Sequence, residues 1–134
     1  MAEATVPVHT RLTAWLTSLG PRKQLLLAFF AGVIGAFGQA PFDIWTLALV
    51  GFAAQFALFT LAQTPRHAAL LGWFAGLGYF ALSLSWIVEP FMVDAARDGW
   101  MAPFALLFLA GGLALFWGAA AWLAKRLKGA AFTW

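Results

Sequence analysis

The chain has 134 residues, of which 63% are hydrophobic and 10% charged, with eight Trp, fourteen Phe and no Cys. Soluble domains carry about 25% charged and roughly 45–50% apolar residues, and disorder needs low hydrophobicity with high charge, so both classes are excluded. Without Cys these residues form no disulfide, no Cys-ligated metal site and no thiolate nucleophile, and what remains is a one-domain integral membrane protein.

Residues 1–23 differ from the rest. Leu12, Trp15, Leu16 and Leu19 recur at i, i+3, i+4 and i+7, one apolar face of a helix with a polar back. A short amphipathic helix on the cytoplasmic membrane surface is expected there. Gly20-Pro21 ends it, and Pro21 suits the first turn of the next helix. A cleaved signal peptide is the rival reading, with Arg22 and Lys23 ahead of an apolar Leu25–Phe37. Its basic region would be too long, and Pro41 directly after the cut is a poor context.

Residues 24–124 read as a membrane domain. A membrane helix needs about 20 mostly apolar residues to cross a core of about 30 Å. Four charge-free windows of 19 to 26 residues meet that length, bounded by Lys23, Asp43, Arg66, Glu89, Asp98 and Lys125. The expected fold is all-α, a bundle of four transmembrane helices at about 24–41, 44–63, 67–88 and 100–124. Pro41 disfavours helix at Ala40 and closes the first span, and Asp43 is the expected N-cap of the second. Thr64-Pro65 marks the next break, and residues 89–99 form a longer one. Residues 125–134 are expected to be a basic cytoplasmic tail and the start of a fifth apolar segment at Gly129–Trp134.

Charge placement sets the orientation. Arg11, Arg22, Lys23, Arg66, Lys125, Arg126 and Lys128 fall on one side of an even-crossing bundle, with Arg97 alone on the other. Asp43, Glu89, Asp94 and Asp98 lie opposite the basic cluster. Basic loops stay inside, so both termini are expected in the cytoplasm. The high pI then reflects membrane anchoring, and no nucleic-acid partner is expected. Trp45, Trp86 and Trp100 at one interface and Trp73 and Trp122 at the other fit an aromatic belt.

Small residues supply the expected helix contacts: Ala28, Gly32, Ala36 and Ala40; Gly72, Gly76 and Gly78; Ala110, Ala114 and Gly118. Chemistry is sparse by comparison. No charge sits deep in a span, which argues against a proton-coupled transporter. Gln39, Gln55, Ser83 and Ser85 are the polar groups in or near the spans, and Gln55 reads as interhelical glue. Glu89, Asp94 and Asp98 read as a solvated acidic rim, and His9 and His67 lack partners at ligand spacing. The residues therefore offer no catalytic, cofactor-binding or metal site, and no cofactor is expected. A stand-alone membrane structural or assembly protein is compatible with this pattern.

Two blocks carry a family resemblance. Gly35–Phe52, with its Pro41-Phe-Asp-Ile-Trp45 turn, resembles the first hairpin of bacterial apolipoprotein N-acyltransferases. Gly72–Phe80 followed by Ser85-Trp-Ile87 is similar to that family's Gly-rich third span. The resemblance covers about residues 24–124. It implies an inner-membrane enzyme that transfers an acyl chain from a phospholipid to the amino group of a diacylglyceryl-cysteine on an apolipoprotein substrate. Such enzymes use a Glu–Lys–Cys triad in a nitrilase-like domain, acting through a thioester. None of the three residues carries over, because these 134 residues lack that domain and any Cys. The expectation is an N-terminal membrane region only, a fragment without activity by itself, which anchors the catalytic domain and forms part of a lipid-accessible wall.

Overall fold

The computed structural model describes residues 8–130, and within them the chain is all helix with no strand. Residues 1–7 of the expected amphipathic segment and 131–134 of the expected fifth segment lie outside the described residues. Helix α1 covers Val8–Ser18, α2 Pro21–Ala36, α3 Trp45–Leu61 and α4 Pro65–Ser83. After α4 come a 3-10 turn at Ser85–Val88, single helical turns α5 (Glu89–Met92) and α6 (Ala95–Asp98), a second 3-10 turn at Gly99–Met101, and α7 (Ala102–Ala130).

Local chemistry sets these boundaries. Pro21 occupies the first turn of α2, where a missing N–H costs nothing. Gln24, buried in that turn, donates from Nε2 to the carbonyl oxygens of Leu16 (3.0 Å) and Leu19 (3.2 Å), tying the end of α1 onto α2. Thr64 caps α4 by accepting from the backbone N–H of His67 at 3.2 Å, with Pro65 next in line. Asp43 does not cap α3. It sits at φ 51°, a left-handed conformation that Asp tolerates, and Ile44 holds the cap position without a side-chain bond. Backbone hydrogen bonds replace the cap: Gln39 carbonyl oxygen accepts from Phe42 and Asp43, and Phe37 carbonyl oxygen from Ile44.

Helices α2 and α3 are antiparallel, with Gly51 packed on Ala31 and Gly35. α4 lies on the other side of α2, and α7 on the far side of α4, so the helices order α3–α2–α4–α7. α4 and α7 are antiparallel, since Gly118 meets Ala69 and Gly76 meets Ala114. Most of the small-residue positions read from the sequence lie where helices meet, Ala28, Ala36, Ala110 and Ala114 being almost fully buried, but Ala40 is exposed in the turn after α2. Most large side chains point outward instead, including Phe56, Phe108 and Phe116. This inverts a soluble core, and it suits a chain whose surroundings are as apolar as its interior.

Helices α2, α3 and α4 are shorter than their charge-free windows, whereas α7, with 29 residues, is longer. The windows counted residues 37–42 and 62–64, which are charge-free but form turns. α2 has 16 residues and α3 has 17, about 24–26 Å at 1.5 Å per residue. By length and composition, the helical run Ala95–Leu127, most of it α7, can cross a membrane; α4, 19 residues long, is apolar enough only together with Ser85–Met92, across a bend of 59°. Of the four expected spans, the structure thus gives one long apolar helix, one bent pair, one short apolar helix (α3) and the short α2, which carries Arg22 and Lys23.

Candidate functional site

The outer helices α3 and α7 do not close over α2 and α4. Between them lies an apolar cleft of about 410 Å³, floored by Ala28, Leu71 and Ala75 and walled by Phe56 and Phe59 on one side and Ala120 and Ala121 on the other. Its volume falls in the range of small-molecule sites, about 300–1,000 Å³. Gly72 lets α7 approach: a Cβ there would stand 2.7 Å from the Trp117 carbonyl oxygen.

Aromatic rings shut one end. Tyr79 stacks on Trp117 with centroids 5.2 Å apart, Phe80 meets the same indole edge-on at 5.6 Å, and Phe52 reaches Tyr79 at 6.0 Å. Edge-on and offset rings place positive edges on negative faces, which adds to their area burial. The Tyr79 hydroxyl accepts from Gln39 Nε2 at 2.7 Å, linking this cluster to the α2–α3 turn. The single Tyr of the chain was open to recognition as a polar tip on an apolar helix. Its partner was not, because Gln39 lies 40 residues away.

Gln55 lines the cleft, and its Nε2 is buried without a hydrogen-bond partner. The expected interhelical bond is therefore not made. A buried amide N–H left unpaired costs about 1–3 kcal/mol, and this one lies against α2, 3.5 Å from where a Cβ on Gly35 would stand. Ser83 Oγ is likewise buried and unpartnered.

The other polar residues are not brought together. Glu89 and Asp94 are exposed, and Asp98 pairs at 3.8 Å with its exposed neighbour Arg97, a contact worth little in water. His67 serves α4 through its backbone N–H, while the side chain of His9 lies outside the described residues. Among the described residues no group of three His, Asp or Glu side chains could hold a metal ion. Trp73 departs from the belt reading: its Nε1 donates to the Gly111 carbonyl oxygen at 3.1 Å, inside the α4–α7 seam. Trp122 lies under the Arg126 guanidinium, 4.2 Å from its ring centroid. The arrangement can seat an apolar chain.

Residues 31–134 match the family model described as apolipoprotein N-acyltransferase N-terminal domain. The chain is 45% identical over 105 residues to the apolipoprotein N-acyltransferase of Caulobacter vibrioides, covering 76% of this chain and 20% of that protein. It is 35% identical over 126 residues to that of Brucella suis, with 87% and 24% covered. To that of Azotobacter vinelandii it is 37% identical over 113 residues, with 84% and 21% covered. The chain thus spans about a fifth to a quarter of the length of these relatives.

Proposed function

The chain belongs to the family of the apolipoprotein N-acyltransferase N-terminal domain, and from that premise we propose that it is the membrane-embedded part of an enzyme that N-acylates the diacylglyceryl-cysteine of lipoproteins with phospholipid as acyl donor. In this reading α2, α3, α4 and α7 each cross the bacterial inner membrane. Both basic ends face the cytoplasm, with α1 on the inner surface and residues 85–101 at the outer one. The short α2 and α3 reach across by local thinning of the bilayer and by their turn residues, a modest cost per ångström of mismatch.

The observation that carries the proposal is the α3–α7 cleft. A hollow walled by Phe and Ala suits an acyl chain. The membrane region then gives the donor lipid a lateral berth. With no Cys, these residues form no thioester and transfer no acyl group by themselves.

The test reconstitutes the chain in vesicles with a phospholipid carrying a photoreactive diazirine on one acyl chain. Labelling is expected to concentrate on cleft residues such as Phe56 and Ala121. Ala120→Phe, at an exposed wall position, should cut it severalfold without unfolding the chain. A diacylated lipopeptide added to the same vesicles should keep its free amino group. Labelling spread evenly over the lipid-facing helices, insensitive to Ala120→Phe, would remove the acyl-chain role. Acylation of the peptide would overturn the claim of inactivity.

A further inference from the structure

A second groove runs along the other side of the α4–α7 seam. Two adjoining hollows of about 560 and 500 Å³ share Trp73 and Leu115 and continue from Trp122 to Leu107. Two glycines of its α7 wall are explained by packing: Gly118 lies against the Ala69 carbonyl oxygen, and Gly111 hosts the Trp73 ring. Gly112 is not. A Cβ there would meet nothing within 4 Å, although glycine in a helix interior is unfavourable relative to alanine. Its missing side chain keeps the groove open.

One end of the groove is cationic. The Arg126 guanidinium lies 4.2 Å over the Trp122 ring, and Arg66 stands one helical turn before Leu70, which lines the same hollow. Lys125 is adjacent in α7. The described carboxylates, Asp43, Glu89, Asp94 and Asp98, all lie in the connections at the opposite end of the helices. Arginines beside an apolar furrow, with no acid at that end among the described residues, complement an anionic headgroup attached to acyl chains.

We propose that this groove binds an anionic glycerophospholipid, its acyl chains over Gly112 and its phosphate against Arg66 and Arg126. The inference rests on the membrane placement proposed above and concerns a lipid at the basic end, separate from the α3–α7 cleft. Such a lipid fixes the depth of α4 and α7, which give that cleft part of its floor and one of its walls.

The chain is inserted into phosphatidylcholine vesicles, then extracted in detergent and titrated with phosphatidylglycerol or phosphatidylcholine under native mass spectrometry. Phosphatidylglycerol should bind more tightly by about fivefold for each contributing arginine, the scale of a basic side chain near an anionic surface. Arg66→Gln with Arg126→Gln should bring the two lipids to parity, whereas Arg97→Gln, at the other end, should leave the preference intact. Gly112→Leu, which has room to fold, should lower occupancy by both lipids. Equal binding by the unsubstituted chain, or a preference surviving the double Arg variant, overturns the proposal. So does a dimer in place of lipid that Gly112→Leu abolishes, since a second copy would then fill the groove. A chain that fails to insert into vesicles overturns the membrane placement itself, whereas insertion with equal binding of both lipids overturns this inference alone.

Discussion

Replacing Gly78 by Leu is expected to abolish stable packing of α2 against α4. A Cβ at this position would fall on the Phe29 carbonyl oxygen, with the Phe29 carbonyl carbon at 3.0 Å and the Val33 nitrogen at 3.2 Å. The contact is reciprocal, because a Cβ on Gly32 would fall on the Ala75 carbonyl oxygen. Both obstacles are helix backbone, so no rotamer change relieves them and the helices must separate. Overpacking costs typically about 1–3 kcal/mol and occasionally more, and a backbone-on-backbone clash belongs at the top of that scale. Against a total stability of about 5–15 kcal/mol this is a large share. Opening the seam also strips contacts from Ala28, Leu71 and Ala75, the floor of the cleft. Thermal unfolding in detergent, followed by tryptophan fluorescence, measures the effect. Gly112→Leu is the matched control, since a Cβ there meets nothing within 4 Å. A Gly78→Leu chain that unfolds with the unsubstituted one would show that α2 and α4 do not approach this closely.

Trp117→Ala should be the most damaging change within the aromatic cluster. Trp117 touches all three other rings: Tyr79 at 5.2 Å, Phe80 at 5.6 Å and Phe52 at 6.4 Å. Fully buried aromatic-to-Ala changes cost about 3–5 kcal/mol. Trp117 is half-buried, which puts the loss near 3 kcal/mol at most. The substitution joins the cleft to the outer end of the bundle and frees Tyr79 to leave Gln39. Loss of acyl-chain labelling in the cleft is therefore expected beyond what the stability change accounts for, and Trp117→Phe should restore much of both. An Ala variant within about 0.5 kcal/mol of the parent, the level of an uninvolved surface site, would contradict the role given to this cluster.

The legible part of the fold was the part governed by local rules. Thr64-Pro65 starts a helix because a hydroxyl and a fixed φ act within one turn. The small residues at four-residue steps mark the contact faces because close approach in an apolar medium demands them. Helix ends were less legible. Residues 37–42 and 62–64 bear no charge to mark them, and the reversal at Asp43 rests on backbone bonds to Gln39 and Phe37 rather than on a capping side chain. The bend after Ser83 also lacked a signal, since Leu84 and Ser85 are ordinary helix residues.

The cleft itself was hidden for a different reason. It depends on which helices are neighbours, and the order α3–α2–α4–α7 places the first and last of them apart across two others. No window of sequence contains that order. Gln55 was visible as a mid-helix amide, but only the three-dimensional arrangement sets its Nε2 against Gly35 of α2, which offers it no acceptor. Trp73 shows the converse case, where a composition rule pointed to the headgroups and a carbonyl at Gly111 claimed the indole.

The central claim, that α4 and its bent continuation carry the chain from one face of the membrane to the other, is open to a direct measurement because the chain has no native Cys. Single cysteines are placed at Gln63, ahead of α4, and at Val93, beyond α5, where the side chain is 89% exposed. A membrane-impermeant maleimide is then applied to spheroplasts before and after permeabilisation. Val93→Cys should react in intact spheroplasts and Gln63→Cys only once the membrane is opened. Reaction of both from the same side would put the two ends of α4 on one face and remove the four-crossing arrangement.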